Sequence, residues 1–241
     1  MQSGGLAATI IPFPIASDNW IQLRQSTIYD ALMRLPFLSW MLFVATVTVI
    51  QFLQYLHKGA ALPTIVFAIN CAMQLATFIF LVLLAAAVII RTRPTAKAHG
   101  VGPRLSALMG TFLIYAICLF PRRELSPVAG IGATLLILLG TASAAFVLKQ
   151  LGRSFSIMAE ARQLVTSGVY GFVRHPLYLA EELAAVGVAM PFLSYWTAPI
   201  LVGQIAFQLR RMRNEEAVLA GTFPEYTAYG ARTARLIPWV Y

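Results

Sequence analysis

The sequence predicts an all-α fold: a polytopic membrane helix bundle of four long spans, a C-terminal membrane helical hairpin and a cytosolic C-terminal helical segment. Of the 241 residues, 59% are hydrophobic and only 11% are charged. Soluble domains contain about 25% charged residues, so this chain has too few to cover a water-exposed surface. The apolar residues fall in runs long enough to cross a bilayer, and helices satisfy their backbone polar groups internally in lipid.

Residues 1–36 are predicted to be an N-terminal leader. Asp18 lies at a helix N-cap signal, and Ile21, Ile28 and Leu32 fall on one face of the helix that would follow. Two interpretations stay open: a short interfacial helix, or a leader packed on the first span. No cleavable signal peptide is visible, so we expect the first span to act as the insertion signal.

Region 37–148 is predicted to hold four transmembrane helices. The apolar runs cover residues 37–56, 62–90, 105–120 and 127–148. About 20 helical residues cross the hydrocarbon at roughly 1.5 Å per residue, so three runs are long enough and the third is short.

The apolar stretch 177–210 is interrupted by Pro191 and Pro199. As one straight helix it would be roughly 50 Å long, which is too much for one span. Because proline breaks helices, the stretch predicts two arms of a membrane hairpin. The two ends of this hairpin, 168–178 and 211–229, would then be neighbours at one membrane surface.

Charge indicates the orientation and the partner of the chain. With a cytoplasmic N-terminus, fifteen basic residues lie on the cytoplasmic side and three on the other, which predicts cytoplasmic termini in an inner or plasma membrane. The net charge of +9 is spread between apolar runs, so it favours anionic lipid headgroups over nucleic acid.

Metal binding is not expected. The two cysteines lie inside apolar runs without a CxxC neighbour, and the three histidines are far apart with no HExxH pattern.

Polar side chains concentrate at the two ends of the hairpin. Pro176 can begin the first arm and holds Arg174 and His175 at a helix N-terminus, a place that favours anions. Glu215 and Glu216 follow the returning arm and can pair with Arg174 or accept hydrogen bonds from a cofactor. The alternative is a headgroup-anchoring arginine and carboxylates on a solvated helix.

Four motifs between about residues 150 and 241 resemble the isoprenylcysteine carboxyl methyltransferase and phospholipid methyltransferase family of membrane enzymes. They are Leu-Val-x-x-Gly-x-Tyr-x-x-x-Arg-His-Pro-x-Tyr at 164–178, an arginine before a Glu-Glu pair at 213–216, Phe-x-x-Tyr-x-x-Tyr at 223–229, and Arg-Leu-Ile-Pro at 235–238.

The resemblance implies an S-adenosylmethionine pocket, without a Rossmann fold, in a catalytic region 149–241. The cofactor-binding residues that it implies are Leu164, Val165, Tyr170, His175 and Tyr178. The catalytic residues that it implies are Arg174, Glu215 and Glu216. The chain departs from the family at Arg162, where a histidine is frequent, and after Tyr178, where a glycine is common two residues on.

Glu181 and Glu182 are candidate substrate residues. They lie about one turn into an apolar arm, where carboxylates are costly and usually functional. Either can bind a cationic head group, act as a base or pair with Arg174. In the alternative interpretation, both reach the interface and are solvated.

The function predicted is methyl transfer from S-adenosylmethionine to a lipophilic substrate. A carboxylate acceptor would be oriented by Arg174, whereas an amine would lose its proton to Glu181 or Glu216, and the sequence leaves both open. Two rival classes also remain: a non-catalytic membrane scaffold or transporter, and a membrane reductase that uses NADPH.

Overall fold

The structure is a computed structural model that describes residues 27–58 and 63–238. It is mostly helical, as the sequence predicted. The chain divides into two units, residues 1–40 and 41–241, and the site described below lies entirely in the second.

The first four helices are long and apolar. They are α1 (Thr27–Lys58), α2 (Thr64–Ile90), α3 (Val101–Phe112), which a 3-10 helix (Leu113–Leu119) extends, and α4 (Pro127–Leu151). Each is long and apolar enough to cross a membrane, with the candidate spans Arg34–His57, Thr64–Ile90, Val101–Leu119 and Pro127–Ser154. These four candidate spans agree with the predicted number of long apolar helices and support a multi-pass membrane protein.

The predicted interfacial helix falls partly outside the described residues. Asp18 and Ile21 lie there, whereas Ile28 and Leu32 belong to α1. In the described part, α1 runs without a break through Pro36 into the first span.

The helical structure is interrupted near Pro191 and Pro199, where the sequence predicted a break. Helix α5 (Pro176–Ala189) is followed by a 3-10 helix (Met190–Phe192), α6 (Ala198–Thr222) and α7 (Tyr226–Arg232). Hydrogen bonds between Ser194 and Thr197 close the turn, with Ser194 N donating to Thr197 Oγ1 at 2.9 Å. The position of these arms in the membrane remains a prediction.

Small residues bring α4 and α5 into close contact. A Cβ atom added at Gly140 would lie 2.5 Å from Ala184 N and 2.8 Å from Ala180 O. Close backbone approach at small residues is a common way for membrane helices to associate. Helix α4 also packs on α2, whereas α6 packs on α3, so the two hairpin arms lie against different neighbours.

A short antiparallel sheet departs from the purely helical prediction. Strand β1 (Ala96–Lys97) pairs with β2 (Glu160–Ala161). Thr95 N donates to Ala161 O at 2.8 Å, and Ala98 N donates to Ala159 O at 2.9 Å. Two residues per strand are too few for a hydrophobic pattern, so the sequence carried no signal for this sheet.

Candidate functional site

The ends of the two predicted hairpin arms, α5 and α6, meet at one open pocket, here called the C-terminal pocket, with about 800 Å³ of empty space. Its wall is formed by parts of the segments 151–165, 170–181 and 211–229. Because the pocket is open, this space is continuous with the surrounding solvent.

The turn before α5 depends on a glycine. Gly168 begins a 3-10 helix (Gly168–Gly171) with φ 63°, a backbone conformation that side chains with a Cβ rarely adopt. The Gln150 side chain occupies the place of the missing Cβ, and its Oε1 accepts a hydrogen bond of 3.2 Å from Val169 N. Tyr229 of α7 donates from its hydroxyl to Tyr170 O at 2.7 Å, which fixes the turn from the other side.

The backbone of Arg174 and His175 is fixed by the last described segment of the chain. Val173 pairs with Ala234 in a parallel bridge. Arg174 N donates to Ala234 O at 2.8 Å, and His175 N donates to Arg235 O at 3.1 Å. The C-terminal segment therefore fixes the backbone from which both side chains of the Arg-His pair project.

Glu216 is the centre of a buried charge cluster. Its Oε1 lies 3.2 Å from Arg174 Nη1 and 3.1 Å from His175 Nε2, and its Oε2 accepts a bond of 2.7 Å from Arg235 Nη2. Burial alone would raise the pKa of this carboxyl, but the His175 and Arg235 hydrogen bonds and the Arg174 charge lower it to about 2. Glu216 is therefore ionised at neutral pH.

A second cluster joins α5 to α6. The Tyr178 hydroxyl donates to Glu215 Oε2 at 2.9 Å, and the Arg211 guanidinium lies 4.7 Å from the centre of the Tyr178 ring. Arg211 also donates to Ile157 O at 3.1 Å and to Thr111 Oγ1 at 3.3 Å. Buried Arg211 thus connects α6 with α3, α5 and the segment after α4.

Glu160 accepts hydrogen bonds that organise the 151–165 segment of the pocket wall. Its Oε2 accepts hydrogen bonds from Ser156 Oγ at 2.8 Å and from Arg162 Nη2 at 2.5 Å. Arg162 also donates to Thr92 O. The position where the family frequently has histidine thus carries a buried arginine that ties the pocket to the end of α2.

Three tyrosines in the wall keep their protons. Burial raises the pKa of Tyr170 far above its ordinary value, with a further rise from the charge of Glu215. Burial also raises the pKa of Tyr226 and of Tyr229 to about 12, although the Arg174 charge opposes both shifts. At neutral pH they present aromatic faces and neutral hydroxyl groups.

The structure brings most of the sequence-predicted site residues to this pocket. Its wall includes Leu164, Val165, Tyr170, Arg174, His175, Tyr178, Glu181 and Glu215. Glu216 lies behind the wall, where it contacts Arg174 and His175. Glu182 is not part of the wall either and lies near Gln204 and Gln208 instead.

Sequence reasoning did not assign a site role to Arg211 or Glu160, which also line the pocket. Each had a signal: Arg211 precedes Glu215 by four residues and so shares its helical face, and Glu160 is the only acidic residue between Glu124 and Glu181. Among the residues that the structure describes, no group of His, Cys, Asp and Glu has the arrangement of a metal site.

Residues 133–221 match the Isoprenylcysteine carboxyl methyltransferase (ICMT) family. The match bears out the resemblance that the motifs predicted, and it supports a membrane protein of the methyltransferase class.

Three relatives share this part of the chain. The nickel-cobalt-cadmium resistance protein NccN of Alcaligenes xylosoxydans xylosoxydans is 35% identical over 82 residues, 33% of this chain and 38% of that protein. The cobalt-zinc-cadmium resistance protein CzcN of Cupriavidus metallidurans is 37% identical over 78 residues, 31% and 35% of the two chains. The protein-S-isoprenylcysteine O-methyltransferase of Schizosaccharomyces pombe is 33% identical over 99 residues, 38% and 42%. The similarity thus spans less than half the length of each relative.

Proposed function

We propose that the protein is an integral membrane methyltransferase that uses S-adenosylmethionine and methylates a lipophilic substrate. The observation that carries the proposal is the convergence of Arg174, His175 and Tyr178 with Glu215 and Glu216. These residues come from two family motifs about forty positions apart. Four of them line one pocket, and Glu216 contacts Arg174 and His175 from behind its wall.

The charged and aromatic side chains of the pocket wall suit this cofactor. Its wall includes three carboxylates, Glu160, Glu181 and Glu215, and three arginines, which are Arg162, Arg174 and Arg211. S-adenosylmethionine carries an ammonium and a sulfonium cation next to a carboxylate, so it requires charges of both signs within one site. The neutral tyrosines add flat faces on which an adenine can stack.

Individual roles follow from position. Tyr178 and Glu215, which are hydrogen-bonded, would hold the cofactor together with His175 and the backbone near Leu164 and Val165. Glu216 acts as a positioning residue, because it lies behind the wall and fixes Arg174 and His175. Arg174 Nη1 is held at 3.2 Å by Glu216, which orients the guanidinium at the pocket edge.

When bound, the cofactor supplies a methyl group on a positively charged sulfur, so no protein nucleophile is required. The chain contributes position, charge and proton acceptance. Ion pairs at a membrane border are partly desolvated. The interaction between Arg174 and Glu216 is therefore stronger than that of a solvent-exposed ion pair.

We place the pocket and both chain termini on the cytoplasmic side of an inner or plasma membrane. The fifteen-to-three distribution of basic residues supports this orientation.

Cofactor titration of the purified full chain in nanodiscs tests the proposal. We expect S-adenosylmethionine to bind saturably by isothermal titration calorimetry, and NADPH to give no heat of binding. Binding of NADPH instead would support a reductase, and binding of neither would return the protein to the scaffold or transporter class. The matched control is Glu225→Gln, an exposed carboxylate outside the pocket wall.

A further inference from the structure

Backbone contacts fix the position of Glu160 in the wall of the C-terminal pocket. Glu160 belongs to β2, where it pairs with Lys97 of β1. The carbonyl groups of its two neighbours, Ala159 and Ala161, accept hydrogen bonds of 2.9 Å and 2.8 Å from the β1 segment. The Glu160 side chain lines the pocket and is 12% exposed. The backbone from which this carboxylate projects is therefore in place before a ligand binds, which lowers the cost of ordering it.

The two carboxylate oxygens of Glu160 have different surroundings. Oε2 accepts hydrogen bonds from Ser156 Oγ at 2.8 Å and from Arg162 Nη2 at 2.5 Å. Oε1 makes no hydrogen bond within the described part of the chain. The Lys97 ammonium lies 3.6 Å from Oε1, on a side chain that is 60% exposed. One oxygen thus orients the carboxylate, and the other keeps its lone pairs for a donor that a ligand brings.

The 151–165 segment of the wall offers fewer charges than the other two segments. Besides Glu160 and Arg162, it contributes four apolar and three neutral polar side chains, which are Leu151, Phe155, Leu164, Val165, Ser154, Ser156 and Gln163. The Arg162 side chain is 1% exposed and donates to Glu160, so Glu160 carries the charge that this segment offers to a ligand. The other two segments contribute charged side chains of both signs, which are Arg174, Arg211, Glu181 and Glu215.

This division of the wall matches the two halves of S-adenosylmethionine. The amino acid half carries the ammonium, the carboxylate and the sulfonium, whereas the nucleoside half is a flat adenine and a ribose with two neighbouring hydroxyl groups. A ribose diol brings two O–H donors without a charge, and carboxylates accept hydrogen bonds from ribose hydroxyls in many nucleotide sites. We propose that Glu160 binds the ribose hydroxyl groups of the cofactor through Oε1. This inference rests on the proposed function and assigns the nucleoside half to the 151–165 segment.

Calorimetric titration of the full chain in nanodiscs with two ligands tests the assignment. S-adenosylhomocysteine has the diol, and its 2′,3′-dideoxy analogue lacks both hydroxyl groups. We expect the analogue to bind the natural chain on the order of 10-fold more weakly, because Oε1 loses its donors. Glu160→Gln should weaken S-adenosylhomocysteine by a similar factor and leave the affinity for the analogue unchanged, since the amide oxygen turns toward Arg162 and its NH₂ group faces the diol. Equal weakening of both ligands, or of neither, would overturn the inference.

A third ligand, 5′-methylthioadenosine, distinguishes the ribose from the ammonium of the amino acid half. It keeps the adenine and the diol but lacks the ammonium and the carboxylate. Glu160→Gln should therefore weaken 5′-methylthioadenosine by the same factor as S-adenosylhomocysteine. An unchanged affinity for 5′-methylthioadenosine in this variant would overturn the inference, because Glu160 would then face the amino acid half.

Two further variants complete the test. Glu160→Asp keeps the charge beside Arg162 but withdraws the carboxylate by one methylene group, so it should give the same ligand pattern and replaces Glu160→Gln if that variant does not fold. Glu225→Gln, the exposed control, should leave all three affinities unchanged, and the thermal transition of each variant reports its folding. Absence of S-adenosylhomocysteine binding to the natural chain would overturn the proposed function and this inference with it. Equal affinity of the natural chain for S-adenosylhomocysteine and the dideoxy analogue would overturn the inference alone.

Discussion

Arg235 and Glu216 form a bidentate ion pair between the last described segment of the chain and α6. Arg235 Nε lies 2.9 Å from Glu216 Oε1, and Arg235 Nη2 lies 2.7 Å from Oε2. The same carboxylate contacts Arg174 and His175. One buried carboxylate thus joins the closing Arg-Leu-Ile-Pro motif to the Arg-His motif, so segments about sixty residues apart in sequence meet at one place.

Acid should weaken this cluster. The pKa of Glu216 is lowered from the ordinary 4.5 to about 2, so its contribution to stability is complete above pH 4.5 and is lost as the pH falls toward 2. The shift corresponds to about 3 kcal/mol. We expect the free energy of unfolding of the natural chain in detergent to fall over this pH range, followed by circular dichroism.

The variant Glu216→Gln provides the comparison. It removes the titrating group and leaves Arg174 and Arg235 without their carboxylate, which should cost about 3 kcal/mol or more at pH 7. The stability difference between the two chains should then shrink toward pH 2. A difference that stays constant from pH 6 to pH 2 would contradict the assigned shift.

Arg174 and Glu216 should show coupled effects in a double-mutant cycle. Arg174→Lys keeps the charge but loses the planar guanidinium, so methyl transfer from radiolabelled S-adenosylmethionine to a lipophilic acceptor should fall on the order of 100-fold while cofactor affinity changes little. Because Glu216 acts through Arg174, the double variant with Glu216→Gln should lose less activity than the two single losses combined. Additive losses would show that the two residues have separate tasks.

The spans were predictable because composition and run length decide them directly. The third span was more difficult, since the apolar run began at residue 105, yet the helix begins at Val101 and continues as a 3-10 helix to Leu119. An apolar run excludes the polar first turn of a helix. The turn at 101–104 therefore made the third helix longer than its apolar run indicated. The β1–β2 pair was not predictable, because its register depends on backbone contacts between distant segments.

The site was predictable only as far as the motifs reach. The motifs brought Arg174, His175 and Tyr178 together with the two glutamates, but not the division of labour between Glu215 and Glu216. Helical geometry explains this division: consecutive residues point about 100° apart, so one lines the pocket and the other faces Arg235. Arg211 escaped notice because, in sequence, a basic residue at a membrane border resembles a headgroup anchor.

Cofactor affinity should depend on Tyr178 and His175. Tyr178→Ala removes both the ring next to Arg211 and the hydroxyl on Glu215, whereas Tyr178→Phe removes only the hydroxyl. We expect Tyr178→Phe to weaken S-adenosylmethionine binding about 5-fold, and Tyr178→Ala and His175→Ala more strongly, by calorimetry. The thermal transition of each variant serves as the folding control. Normal binding in folded alanine variants would contradict the assignment of these residues to the cofactor.

Reporter fusions test the proposed orientation. A fusion after Tyr241 should report a cytoplasmic location, and one inserted between residues 121 and 126 should report the opposite side. The fifteen-to-three excess of basic residues is the reason for both expectations. A C-terminal fusion on the non-cytoplasmic side would contradict the proposed placement of the pocket.

Gly140 and Gly132 offer a matched pair on the same helix for testing how α4 and α5 pack. A Cβ at Gly140 would lie 2.5 Å from Ala184 N, which the α5 backbone cannot accommodate without moving, whereas a Cβ at Gly132 meets no atom within 4 Å. Gly140→Ala should therefore destabilise the protein by about 1–3 kcal/mol, because it forces the two helices apart. Gly132→Ala should be neutral or slightly stabilising, since alanine favours helix in both positions. Thermal unfolding of the two variants in the same detergent compares them directly.

The contact between α4 and α5 should also affect the cofactor site. Since α5 begins at the Arg-His-Pro motif, Gly140→Ala should lower S-adenosylmethionine affinity, although Gly140 is not part of the pocket wall. Equal stability of the two variants would show that α4 and α5 can move apart at no cost. It would contradict the view that the Gly140 contact supports the pocket.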